Sequence, residues 1–174
     1  MRVTFPRLPD HQRAYSLVER DDGAVYRLYG GMAGSRLPHD IMHLVVEREL
    51  RIRDGIWGGI AAGVVFTTMR YVSGRCPPPA AERSRALLRD FRSQGLRAEL
   101  LADLVTSTAA LDDPSPATIR RLAAAKLPAL PDADVEPAAI AAAARALQVE
   151  AARWARLRVG EELCYDWLGP VKPG

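Results

Sequence analysis

Two histidines, His39 and His43, stand four residues apart in a stretch with the apolar spacing of a helix. Residues at this separation lie one turn apart on one helix face, so both imidazoles can direct a nitrogen at one metal ion about 2 Å away. Asp40 follows the first histidine, and Glu47 lies one turn further along the same stripe. The pattern predicts a divalent metal site, with zinc as the expected ion. Its candidate ligands are His39, Asp40, His43 and Glu47.

A metal held by only two or three strong ligands keeps open positions for water or a substrate oxygen, as catalytic sites do. Asp40 and Glu47 are the candidate catalytic residues, because a carboxylate beside the metal can move protons. Asp40 occupies the position where helical zinc proteases carry their general-base glutamate, and its side chain is one methylene shorter. We therefore expect a metal-dependent hydrolase or lyase that acts on a small carbonyl- or carboxyl-bearing molecule.

A non-catalytic binding or assembly module is the alternative function. Histidines on the border of a helix also serve structure by hydrogen bonding to backbone carbonyls, and Glu47 is equally placed to form a surface ion pair with Arg51, four residues on. His11, the third histidine, falls in an N-terminal loop and is expected on the surface. Under this alternative, substitution of His39 or His43 lowers stability and removes no metal.

Residues 39–43, with the sequence HDIMH, resemble the zinc motif of the coenzyme Q (ubiquinone) biosynthesis family. Proteins of that family carry an HDxxH segment on a helix and a glutamate a dozen positions further on. The family is tied to ring decarboxylation and hydroxylation of the quinone precursor and to holding the biosynthetic complex together. The resemblance implies that His39, Asp40 and His43 are metal ligands.

The chain departs from that family at the last ligand. Twelve residues beyond His43 stands Gly55, and Asp54 immediately precedes it. The fourth ligand is therefore replaced by Asp54, moved to Glu47, or lost.

A longer string, HDIMHLVVERELRIRDGIWGGIAAGVVF, is similar to an uncharacterised bacterial family of small proteins. In that family an HDxxHxxVE helix is followed by a second helix that begins with Gly-x-Trp-Gly. This resemblance spans both segments and implies no activity. It implies that the two helices form one structural unit.

The length of 174 residues suits a single domain, residues 1–174, that buries a core without disulfides. Residues 1–74 would hold a hairpin and the motif helices, and residues 80–174 a helical half that ends in a strand. The net charge is +3, and Lys126 and Lys172 are the only lysines among 24 basic residues. Because the arginines are scattered and form no basic stripe interleaved with aromatic residues, we expect a small-molecule substrate and no nucleic-acid partner. A regulator that binds nucleic acid through its arginines is the third possibility, and it predicts an affinity that falls steeply with salt.

The compartment predicted from the sequence is the cytoplasm. Cys76 and Cys164 follow no paired motif, and the first residues lack the apolar core of a secretion signal. The longest apolar run, residues 56–69, is shorter than the roughly 20 residues that a membrane span needs.

Hydrophobic periodicity predicts an α+β fold, in which a small antiparallel sheet is packed by five or six helices. The sheet would consist of an N-terminal hairpin, residues 13–20 and 24–29 around the turn Asp21-Asp22-Gly23, and a C-terminal strand, residues 160–167. Residues 1–5 would form an edge strand. The predicted helices cover residues 38–53, 56–66, 81–94 with Gly95 as a stop, 96–111, 116–126 and 137–156. As an alternative, residues 56–66 enter the sheet as a buried strand.

The last helix carries a seam of larger and small residues at alternating four- and three-residue steps. A homodimer through this seam is one use of it, and burial within the chain is the commoner one. The seam residues are Ile140, Ala144, Leu147, Ala151 and Trp154.

Overall fold

The computed structural model describes residues 1–75, 80–127 and 135–167. Cys76 and the predicted proline loop after it, residues 77–79, lie outside the described residues. The predicted α+β fold is confirmed, since five helices pack on a five-stranded antiparallel sheet within these residues. The strands are β1 (Arg2–Pro6), β2 (Arg13–Glu19), β3 (Ala24–Met32), β4 (Met69–Gly74) and β5 (Glu162–Asp166). The helices are α1 (His39–Glu49), α2 (Ile56–Ala62), α3 (Ala80–Ala109), α4 (Pro116–Lys126) and α5 (Pro137–Arg156).

The strand order is β4-β3-β2-β1-β5. The predicted hairpin and the C-terminal strand are both present, and β5 pairs with β1 so that Thr4 stands opposite Cys164. The prediction that residues 1–5 form an edge strand is wrong, because β2 and β5 pair with the two sides of β1. Alternate residues of β1, Val3 and Phe5, are buried on the face that the helices cover.

Strand β4 was not predicted, because five of its six residues are exposed and its sequence has no apolar alternation. It is an edge strand held by backbone pairing with β3. The predicted second helix, residues 56–66, ends early at Ala62, since Gly63 adopts a φ of 121° that favours glycine. The motif helix α1 likewise ends at Glu49, four residues before the predicted end.

Helix α3 is one continuous helix of 30 residues, so the prediction of two helices with Gly95 as a stop is wrong. A glycine inside a helix costs roughly 1 kcal/mol relative to alanine. Packing outweighs that cost, because Leu101, Leu104 and Val105 on the following turns are buried in the core.

The seam of α5 is buried within the chain, where α5 contacts both α1 and α3. Ile140 and Trp154 are each 2% exposed, and Leu147 is 6% exposed. The homodimer alternative therefore lacks a free seam, and burial within the chain is the use observed. Within the described residues, no helix is long and apolar enough to cross a bilayer.

Candidate metal centre

His39 and His43 lie in the first turn and a half of α1, which begins after Pro38. The structure brings their imidazoles side by side, with ring centroids 4.4 Å apart and ring planes inclined by 64°. His39 is exposed and His43 is completely buried. The pair therefore runs from the surface into the packing between α1 and α3.

A third candidate ligand, Glu99, comes from α3 and was missed by sequence reasoning. Its Oε2 lies 3.4 Å from Nε2 of His43. One ligand atom from each of His39, His43 and Glu99 lies within 4.8 Å of the other two, and within the described ranges this is the only such cluster of three. No sequence signal marks Glu99, because it belongs to no motif and meets the histidines only through the packing of α3 on α1.

His43 is buried beside the Glu99 carboxylate. Neither Nδ1 nor Nε2 has a hydrogen-bond partner among the residues that the structure describes, although Nε2 faces the Glu99 carboxylate. Burial lowers the pKa of His43, and the Glu99 carboxylate partly opposes that shift. A neutral imidazole with an unpaired nitrogen is the form that binds a metal ion. An unpaired buried polar group costs free energy, so a ligand at this position would remove a penalty.

Glu47 does not join the histidines. Its Oε1 accepts a hydrogen bond from the backbone N–H of Ile56 at 2.8 Å, and its Oε2 accepts one from Trp57 at 3.0 Å. Its side chain is completely buried, and burial raises its pKa to about 8 although the backbone N–H groups of α2 lower it. Glu47 thus occupies the start of α2, where backbone N–H groups lack partners within the helix.

A second hydrogen bond joins α1 to α2, because Nε1 of the buried Trp57 donates to the backbone carbonyl of Asp40 at 3.1 Å. Trp57 also packs edge-on against Phe5 of β1 with ring centroids 5.8 Å apart. Glu47 and Trp57 together tie α2 to both ends of α1. The Gly-x-Trp-Gly segment therefore holds the histidine helix in place.

The Asp40 side chain is half-buried beside Gly30 of β3 and lies outside the group formed by the histidines and Glu99. Burial raises the pKa of Asp40, and the neighbouring His39 partly opposes the shift. Asp40 and His39 both line a cleft of about 440 Å³, which His11 and the backbone of Gly34 also border. Asp40 and Asp10 are therefore the two carboxyl groups that share a cleft with a candidate ligand, and Asp40 is the one next to His39 in the chain.

A second cleft, of about 430 Å³, opens on the other side of His39 between α1, α3 and α5. Most of its lining is apolar, and its polar lining residues are His39, Thr106 and Gln148. His39 stands between the two clefts. The apolar lining residues are Leu37, Met42, Ala109, Ala110, Leu147 and Ala151.

Comparisons of the chain with protein-family models, with curated proteins and with solved structures found no match. The two resemblances carried by the HDxxH segment therefore stay predictions.

Proposed function

We propose that this chain is a metal-dependent enzyme, with zinc held by His39, His43 and Glu99. The convergence of three ligand atoms within 4.8 Å carries the proposal. The buried His43 supports it, because neither of its nitrogens has a hydrogen-bond partner among the described residues and Nε2 faces the Glu99 carboxylate. Two histidines and one glutamate form a donor set of catalytic zinc sites, which keep a further position open.

The proposed reaction is hydrolysis or a lyase step on a small carbonyl- or carboxyl-bearing molecule. When bound, zinc supplies a Lewis acid that polarises a carbonyl oxygen. Asp40 would hold and move the proton, because its carboxyl group is half-buried in the cleft that His39 borders. The apolar cleft on the other side of His39 offers room for the non-reacting part of the substrate.

In this proposal Glu47 is neither a metal ligand nor a proton-transfer group. It positions α2 against α1. Both of its oxygens accept backbone hydrogen bonds at the start of α2, so neither is directed at the histidines. For the compartment we propose the cytoplasm, where unpaired thiols such as that of Cys164 stay reduced.

Zinc titration of untagged protein by calorimetry, followed by elemental analysis, tests the site. We expect one zinc per chain in the wild type and a loss of binding of tenfold or more in His39→Ala, His43→Ala and Glu99→Gln. Two variants provide matched controls. His11→Asn changes the third histidine, and Glu162→Gln changes an exposed glutamate remote from the site.

The controls should bind zinc as the wild type does, and so should Glu47→Gln if its role is positional. Sub-stoichiometric zinc in the wild type, or equal zinc in all the variants, would contradict the proposal. A lower melting temperature of His43→Ala with no change in zinc binding would support the non-catalytic alternative.

A further inference from the structure

Among the described residues, no helix covers one face of the sheet, and arginine and tyrosine alternate on part of that face. On the opposite face Val18, Tyr26 and Leu28 are buried in the core. We name the set on the open face of β2, β3 and β4 the arginine–tyrosine face. It consists of Arg13, Tyr15, Arg27, Tyr29 and Arg70.

The contacts within this face cross between two strands. The Arg13 guanidinium lies over the Tyr29 ring at 4.9 Å, and the Arg27 guanidinium lies over the Tyr15 ring at 4.4 Å. Tyr15 and Tyr29 are cross-strand partners, and Nη1 of Arg27 donates to the Tyr29 hydroxyl at 3.4 Å. These cation–π contacts hold two guanidinium groups against the sheet and leave other N–H groups able to bind an anion.

The charge on this face is unbalanced. Arg27 and Arg70 are directly opposite each other across β3 and β4, and like charges in such a pair destabilise a sheet. Within the parts of the chain that the structure describes, no carboxylate pairs with Arg13, Arg27 or Arg70. Glu19 is the only acidic residue on these three strands. An anion bound between the arginines would relieve their repulsion.

We propose that the arginine–tyrosine face binds single-stranded nucleic acid. Guanidinium N–H groups would contact phosphates, and bases would stack on the exposed parts of the arginine and tyrosine side chains, of which Arg13 and Arg70 are exposed and Tyr15, Arg27 and Tyr29 half-buried. An open sheet face offers such planes to unpaired bases, whereas a duplex presents its bases only through its grooves. This proposal does not depend on the metal site.

The sequence alone did not predict this face. The two strands carry the short patterns Arg13-Ala14-Tyr15 and Arg27-Leu28-Tyr29, each of which is unremarkable by itself. They interleave only when β2 pairs with β3, so a linear search for a basic stripe misses them. The expectation of no nucleic-acid partner depended on that linear search.

Fluorescence anisotropy with a labelled single-stranded DNA oligonucleotide, measured from 50 to 200 mM salt, tests the proposal. We expect binding that weakens as salt rises. In a plot of the logarithm of the binding constant against the logarithm of the salt concentration, each phosphate contact removed should make the slope shallower by about 0.7. Arg13→Gln/Arg27→Gln should weaken binding about tenfold or more and reduce that slope by about 1.4. Arg27→Lys keeps the charge and loses the planar stacking group, so its affinity for the oligonucleotide should lie between those of the wild type and the double variant.

The matched control is Arg120→Gln/Arg121→Gln, which removes the same charge from exposed positions on α4. It should bind within about twofold of the wild type. Equal weakening by the two double variants, or no binding at 50 mM salt, would overturn the proposal. Tighter binding of duplex DNA or of a sulfated polysaccharide than of the single strand would overturn the assignment of the ligand. Unchanged melting curves show that the variants are folded.

Discussion

The backbone of Gly55 lies so close to the Glu47 carboxylate that a Cβ atom at position 55 would overlap it. Gly55 immediately precedes α2, and the Glu47 side chain is completely buried and held by hydrogen bonds from the backbone N–H groups of Ile56 and Trp57. The glycine is therefore required by the hydrogen bonds that Glu47 accepts from the start of α2.

Gly55→Ala should lower the free energy of unfolding by about 2 kcal/mol, as overpacked buried sites usually do. The added methyl group must displace either the Glu47 carboxylate or the start of α2. Urea denaturation measures the change. Gly31→Ala is the control, because no atom lies within 4 Å of a Cβ there, and it should stay within about 0.5 kcal/mol of the wild type. Equal effects of the two substitutions would show that Glu47 does not need the space.

The stability of the protein should fall as the pH rises from about 4.5 to about 8, because burial raises the folded-state pKa of Glu47 to about 8 from 4.5. Between these values the folded chain holds a proton that the unfolded chain has lost. The contribution of Glu47 to the free energy of unfolding is therefore complete below pH 4.5 and is lost as the pH approaches 8. Over that range the free energy of unfolding falls by at most about 1.4 kcal/mol per pH unit.

Urea denaturation between pH 4 and pH 9 measures this slope. Glu47→Gln cannot ionise and should flatten the profile over that range. Glu49→Gln, which changes an exposed glutamate on the same helix, should leave the profile unchanged. A wild-type profile that is flat, or that rises with pH, would show that the backbone hydrogen bonds lower the pKa of Glu47 by at least as much as burial raises it.

His43→Leu should fold at least as stably as the metal-free wild type. It replaces a buried ring that has no hydrogen-bond partner in the described structure with an apolar side chain of similar size. Zinc at about 100 times its Kd should stabilise the wild type by about 2.7 kcal/mol and should not stabilise the variant. Thermal melts with and without zinc measure both effects. A metal-free His43→Leu less stable than the wild type by more than about 1 kcal/mol would indicate a structural histidine.

Asp40→Asn should retain zinc and lose activity. The amide has nearly the shape of the carboxyl group but cannot take up or release the proton, so a model ester hydrolysed by the zinc-loaded wild type should react about 100-fold or more slowly. Elemental analysis and the initial rate, measured on one preparation, separate the two effects. Asp10→Asn changes another acid that lines the same cleft and is the control. Loss of zinc in Asp40→Asn would instead identify Asp40 as a ligand.

Local sequence patterns correctly predicted the helices and strands that carry a regular alternation of buried and exposed residues or a capping residue. The alternation of Leu163 and Tyr165 with exposed neighbours identified β5, and Ser115 caps α4 by accepting a hydrogen bond from the backbone N–H of Thr118. Elements decided by distant packing were missed. Strand β4 depends on pairing with β3, and α3 continues through Gly95 because the turns beyond it are buried.

In the candidate site, too, the features set by local spacing were predicted and those set by distant packing were missed. The spacing of His39 and His43 correctly placed their rings together, since helix geometry alone fixes that relationship. The partner of Glu47 could not be read from the spacing, because the N–H groups that it binds lie nine and ten residues further on, beyond a turn. Glu99 is 56 residues from His43, and only the packing of α3 on α1 brings the two together.

The pairing of β5 with β1 has a consequence for how the chain is made. Strand β1 leaves the ribosome first, yet one of its edges has no partner until β5, about 160 residues later, has emerged. Exposed strand edges recruit other chains, and pairings between distant segments form slowly. We therefore expect the interval before β5 emerges to be the stage of synthesis at which the unpaired edge of β1 is most exposed to aggregation.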